Sequence, residues 1–141
     1  MFNVIYRFKN EVFMQENGQT SAIEIDIYEY LDILCLLGGA TFKGSIQASR
    51  KMLPNTKKVP IYIPEYDDYL IPLASPKNND CVWISAREYL TCYEEDSKTF
   101  IKFKDRSTFE VNFSMHTIKM QYQKTVNLDE EIRKMKLKYG R

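Results

Sequence analysis

The sequence lacks the residue patterns of disulfide-rich, metal-binding and catalytic domains. Its three cysteines, Cys35, Cys81 and Cys92, are odd in number and show no close pairing, which argues against a disulfide framework and for reduced thiols. The single histidine, His116, has no cysteine or histidine at the short spacing of zinc ligands, and no nucleophile motif accompanies it. We therefore expect no metal, no other cofactor and no enzymatic activity.

Long hydrophobic runs are also absent. The longest apolar stretch, residues 33–37, is far shorter than the roughly 20 residues that cross a bilayer. Residues 1–9 lack the basic segment and the long apolar core of a secretory signal. The sequence therefore predicts a cytoplasmic protein that does not contact a membrane.

A strong net charge is missing as well, but the charges are unevenly placed. The 20 basic and 19 acidic side chains give a net charge of +1, which is no global signature of nucleic-acid binding. Acids outnumber basic residues over 1–40, whereas residues 43–58 hold no acid and most of the charged residues over 97–127 are basic. These stretches contain two groups of basic residues. The first group consists of Lys43, Arg50, Lys51, Lys57 and Lys58, and the second of Lys98, Lys102, Lys104 and Arg106.

Each basic group has two interpretations. The first group is either a phosphate-contacting surface or the solvated face of a helix. In the second, Lys98, Lys102 and Lys104 share a face by alternation, as a further nucleic-acid contact or as an edge strand that lysines protect from aggregation. The acidic residues 65–68 are interpreted as a solvated turn. Trp83 has apolar neighbours and is interpreted as a core residue, not as a base-stacking one.

Apolar residues at regular spacing are what the chain has in quantity. With 44% hydrophobic and 28% charged residues among 141, it suits one domain, residues 1–141, that buries its own core. Helical spacing predicts helices at about 27–53 and 114–138, the latter with a second helix start at Asn127. Short alternating runs predict antiparallel strands, of which those over 89–113 form a meander. The predicted fold class is therefore α+β.

A set of motifs in the centre of the chain resembles one protein family. Their order and approximate spacing resemble the central part of the ComK competence transcription factors of Gram-positive bacteria, with a fainter likeness to about Tyr122. The chain departs from that pattern at Gly44-Ser45, where the family has Gly-Arg, and at Ile63-Pro64, where it has Val-Asp-Pro. The motifs are Cys35, Gly38-Gly39, Gly44, Pro-Ile-Tyr-Ile at 60–63, Ile-Pro at 71–72, Ser-Pro at 75–76 and Cys-Val-Trp-Ile at 81–84.

The resemblance implies an oligomeric protein that binds pairs of A/T-rich boxes in double-stranded promoter DNA, largely through the minor groove, and activates DNA-uptake genes. The minor groove carries a degenerate base code, so such a protein uses basic side chains to read groove width and flexibility. The residues of the two basic groups are its candidate DNA contacts.

The alternative is a ComK-like paralogue with weak or no DNA binding that acts through protein–protein interaction. The near-zero net charge, Gly44-Ser45 and a C-terminus shorter than that of the best-known member favour this second interpretation. Because of the short C-terminus, recognition by a protease adaptor is not carried over from the family.

Overall fold

A computed structural model describes residues 1–75, 78 and 80–140. It confirms the predicted α+β class, with three α-helices and nine antiparallel strands in two sheets among these residues. The turn that the sequence predicts over residues 75–80 lies partly outside them. In chain order the elements are β1 (Val4–Phe8), β2 (Glu11–Glu16), β3 (Gln19–Ile23), α1 (Ile27–Leu37), α2 (Phe42–Met52), β4 (Ile61–Ile63), a 3₁₀ turn (Pro64–Tyr66), β5 (Asp68–Pro72), β6 (Val82–Ser85), β7 (Tyr89–Glu95), β8 (Lys98–Phe103), β9 (Thr108–Val111) and α3 (Met115–Tyr139).

The larger sheet joins distant parts of the chain. Its strand order is β3-β2-β1-β6-β5-β4, and each neighbouring pair is antiparallel. The central pair is β1 with β6, in which Ile5 lies opposite Trp83. A turn at Asn17-Gly18 joins β2 to β3, since both residues readily take the positive φ that the turn needs, here 51° and 77°. The smaller sheet, β7-β8-β9, is the predicted meander.

Two hydrophobic cores lie on opposite faces of the larger sheet. The first lies between the sheet and helices α1 and α2, where the fully buried Trp83 packs edge-on against Phe42. The second lies between the sheet, the meander and α3, where Ile71, Phe103 and Ile118 meet. The prediction that Trp83 is a core residue is confirmed. Because successive side chains of a strand point to opposite faces, β1, β5 and β6 each contribute residues to both cores.

Helices α1 and α2 form where the sequence predicts them. Asp26 caps α1 by accepting the Tyr28 N–H at 2.9 Å, and Gly39, with φ of 89°, supplies the left-handed residue after its end. Thr41 caps α2 by accepting the Gly44 N–H at 2.9 Å. Cap chemistry and glycine placement therefore set these boundaries.

Helix α3 is continuous, so the predicted second helix start at Asn127 is wrong. One helix of 25 residues follows its cap residue, Ser114. The Asn127 side chain caps nothing and instead accepts a hydrogen bond from Gln123 Nε2 at 3.0 Å, one turn earlier. The buried stripe of Ile118, Gln121, Thr125 and Leu128 runs past Asn127 at helical spacing, so burial outweighs the local start signal. In the described part of the chain, no helix has the length and hydrophobicity that a membrane span requires.

The interpretation of residues 65–68 as a solvated turn is wrong for one of its acids. Asp68 is 3% exposed and accepts hydrogen bonds from the N–H groups of Tyr69 and Arg87, at 2.7 and 2.9 Å, and from the Ser85 hydroxyl. Because a buried carboxylate needs such partners, Asp68 serves the fold, holding β5 to the turn between β6 and β7.

Candidate nucleic-acid interface

Helix α2 presents the first part of a basic surface. Its inner face packs Phe42 and Ile46 against the first core. Lys43, Arg50 and Lys51 lie at positions i, i+7 and i+8, so they share the opposite, exposed face. The predicted residues of α2 are therefore brought together in one outward stripe.

The segment between α2 and β4 carries Lys57 and Lys58 and is held by α3. Gln121 of α3, only 1% exposed, donates hydrogen bonds from Nε2 to the carbonyl oxygens of Lys58, at 2.8 Å, and Pro72, at 2.6 Å. Lys58 has a φ of 52°, a left-handed backbone conformation that is uncommon for residues other than glycine and that the surrounding structure must hold in place. The backbone that presents Lys57 and Lys58 is thus fixed by tertiary contacts.

A lysine outside the predicted set completes this surface. Lys124 of α3 donates a hydrogen bond from Nζ to the carbonyl oxygen of Lys57 at 2.8 Å. Partial burial, together with the positive charge of Lys58, lowers the pKa of Lys124. The sequence shows Lys124 only as one of several basic residues over 97–127, because its position beside Lys57 depends on how α3 packs.

The basic side chains of this surface have no acidic partner in the region that the structure describes. Ion pairs there involve Arg7, Lys98, Arg133, Lys134 and the amino terminus. The positive charge of the surface is therefore not compensated by direct ion pairs. We name this the α2–α3 basic surface, and its residues are Lys43, Arg50, Lys51, Lys57, Lys58 and Lys124.

The second basic group begins on the outer face of the meander. Lys98 and Lys102 lie on that face of β8, on either side of Phe100, whose ring stacks on Tyr93 with centroids 5.4 Å apart. The Nζ atom of Lys98 lies 3.8 Å from Oε1 of Glu110, so part of the positive charge of Lys98 is compensated. Because β8 is the central strand of the meander, the interpretation of these lysines as protecting an edge strand is wrong.

Lys104 and Arg106 lie beyond the end of β8. Both are exposed in the turn between β8 and β9, so strand alternation no longer fixes the face on which Lys104 lies. Lys104 lines a cleft of about 380 Å³ with Tyr122 and Arg133 of α3. Tyr122 and Lys124 point about 160° apart around the helix axis, so this cleft and the α2–α3 basic surface lie on different flanks of α3. The nine predicted residues therefore form separate surfaces.

Most of the chain matches a known family closely enough to place it. The family model described as ComK protein matches residues 9–136. The chain belongs to the ComK family. No curated protein and no solved structure is significantly similar to it. Membership supports a role as a competence transcription factor, and the ComK family is one of transcriptional regulators, not of enzymes.

The motifs that resemble the ComK family support the fold. Cys35 and Trp83 lie in the first core, and Gly38 lies so close to Pro64 that an added Cβ would be 3.0 Å from the proline ring. The departure at Ser45 lies on the half-buried side of α2, in a groove with Cys35. That departure therefore leaves the exposed stripe of α2 unchanged.

The cysteines of this ComK family member are packing residues. All three are buried and unpaired. Burial raises the pKa of the Cys81 thiol to about 11 and also raises that of Cys35, so both stay protonated near neutral pH. Within the described residues, no three His, Cys, Asp or Glu side chains are placed to hold a metal ion.

A chelator or a reductant is expected to leave the melting temperature of this ComK family member unchanged, because hydrophobic cores hold its described elements together. Thermal melting followed by circular dichroism, with and without EDTA or dithiothreitol, measures this. A lower melting temperature with either reagent would show that a metal or a disulfide stabilises the fold.

Proposed function

We propose that this chain is a transcriptional regulator that binds A/T-rich promoter DNA with its α2–α3 basic surface against the phosphate backbone. The observation that supports this most is that, in the described part of the chain, none of the basic side chains of that surface forms an ion pair. An uncompensated basic surface on a protein of nearly zero net charge attracts a polyanion locally and releases its counterions on binding.

Sequence preference in this proposal comes from the minor groove. A/T-rich tracts have a narrow minor groove with a deep negative potential, which favours an inserted basic side chain. Such contacts separate A·T from G·C pairs but read little else. Arg50 is the single arginine of the α2–α3 basic surface, and its guanidinium is weakly hydrated and so easily taken into a groove. We assign Arg50 to the groove and the lysines to phosphates.

The second basic group provides further contacts in this proposal. Lys102 stands beside the half-buried aromatic pair of the meander, Tyr93 and Phe100, and Lys104 and Arg106 extend from the neighbouring turn. Lys98 contributes less because Glu110 lies close to it. Separate basic surfaces suit a homo-oligomer whose subunits engage a pair of A/T-rich boxes.

Binding to an A/T-rich duplex is expected to be tighter than binding to a G/C-rich duplex of equal length and to weaken steeply with salt. Five phosphate contacts correspond to a slope of about −4 to −5 in log affinity against log salt. Fluorescence anisotropy with labelled duplexes across a salt series measures both quantities. Affinity that does not depend on salt, or that is higher for G/C-rich DNA, contradicts the proposal.

The second candidate function is that of a paralogue that acts by binding protein. The outward side of α1 favours it, because Ile33, Leu36 and Leu37 are 45% to 55% exposed and adjoin one another at helical spacing. Analytical ultracentrifugation beside the duplex titration separates the two functions. A protein that associates with itself but binds neither duplex is the paralogue.

A further inference from the structure

Lys124 lies beside the segment that carries Lys58 within the α2–α3 basic surface, its Nζ 2.8 Å from the carbonyl oxygen of the neighbouring Lys57. Lys124 comes from α3 and Lys58 from the segment before β4, so tertiary packing brings them together. Burial and the charge of Lys58 both disfavour the protonated form of Lys124. Two like charges repel, and neither lysine has an acidic partner among the described residues.

The fold holds the Lys124 ammonium and the backbone of Lys58 in place despite that repulsion. The Lys124 ammonium is bound to the Lys57 carbonyl oxygen at 2.8 Å, and the Lys58 carbonyl oxygen is bound by the buried amide of Gln121 at 2.8 Å. An ammonium group has three N–H donors. Lys124 therefore keeps two donors for a ligand.

We propose that Lys58 and Lys124 form a site for a single phosphate group of the DNA backbone. A phosphate between the two ammonium groups replaces their repulsion with two charge-assisted hydrogen bonds. The inference rests on the proposed function for its ligand, a phosphodiester of duplex DNA. It places α3 and the segment before β4 on the same phosphate, which fixes the orientation of the α2–α3 basic surface relative to the DNA strand.

The first arm of the test uses an inorganic phosphate. Sodium tripolyphosphate is titrated into the wild-type protein, Lys58→Gln, Lys124→Gln, the double variant and the control Lys119→Gln, with melting temperature as the readout. Lys119 is an exposed lysine of α3 about 140° away from Lys124 around the helix axis, so the control removes the same charge elsewhere. The rise in melting temperature is expected in the wild type and the control and is abolished in the double variant.

The second arm uses an A/T-rich duplex and fluorescence anisotropy across a salt series. Each single variant, Lys58→Gln or Lys124→Gln, is expected to lower the affinity roughly tenfold at low salt and to flatten the salt slope by about one unit. The double variant loses less than the two effects combined, because both lysines share one phosphate. Lys124→Arg keeps the charge and restores most of the affinity.

The outcomes separate the site from the proposed function. If the wild type binds DNA and Lys124→Gln binds with the affinity and slope of Lys119→Gln, the site is overturned and the function stands. If tripolyphosphate stabilises the wild type and not the double variant but no protein binds duplex DNA, the phosphate site stands and the DNA-binding function fails. An equal response of all the proteins to tripolyphosphate overturns the site without reference to DNA.

Discussion

Replacing Trp83 with alanine is expected to destabilise the native state by about 3–5 kcal/mol, the range for truncating a large buried aromatic side chain. Trp83 is fully buried and lies on β6, between β1 and β5 at the centre of the larger sheet. Its ring packs edge-on against Phe42 of α2, with the ring centroids 5.7 Å apart. The cavity that Trp83→Ala leaves therefore also loosens the helix that carries the basic stripe. Urea denaturation followed by circular dichroism measures the loss of stability.

Tyr139→Ala is the matched control for Trp83→Ala. Tyr139 is an aromatic residue at the end of α3 and is 75% exposed, so its truncation is expected to change stability by no more than about 0.5 kcal/mol. Because Trp83 is the only tryptophan, its fluorescence also reports its environment directly. Emission typical of a water-exposed indole, or strong quenching on adding DNA, would show that Trp83 is not in the core.

Local signals account for the parts of the fold that the sequence predicts well. The helices over 27–53 have cap residues, a glycine pair between them and apolar residues at helical spacing. The meander has short alternating runs joined by tight turns. In these segments propensity, pattern and turn chemistry agree, and such agreement makes a segment predictable.

Long-range packing decides what the sequence does not predict. The pairing of β1 with β6 joins residues about 80 positions apart, and no local pattern specifies it. The burial of Asp68 depends on hydrogen bonds from the turn after β6. The continuity of α3 through Asn127 depends on the surface that its buried stripe meets.

The same distinction applies to the candidate site. The residues of α2 share a stripe because helical spacing dictates it, and the sequence is sufficient to predict that. Lys124 joins them only through the docking of α3 on the 57–58 segment. Glu110 lies close to Lys98 only because β9 pairs with β8. Charge partners brought by tertiary structure therefore decide which basic residues keep their full charge.

Changing Arg50, Lys51, Lys57 and Lys58 together to glutamine is expected to lower DNA affinity strongly and for every sequence. If the side chains bind the DNA as proposed, the salt slope flattens by about one unit for each phosphate-contacting lysine removed, up to about three units for Lys51, Lys57 and Lys58. The preference for A/T-rich DNA is expected to shrink as well, because the variant removes Arg50 from the minor groove. Fluorescence anisotropy across a salt series measures these changes on both duplexes.

The control for that variant changes Lys9, Lys119, Lys134 and Lys138 to glutamine. These lysines lie outside the α2–α3 basic surface, so both variants lose the same charge and differ only in where it is removed. Exposed substitutions away from special features usually change stability by no more than about 0.5 kcal/mol each, which thermal melting verifies for both proteins. If the folded variant of Arg50, Lys51, Lys57 and Lys58 keeps the affinity and the slope of the control, the surface does not contact DNA and the protein-binding paralogue becomes the better account.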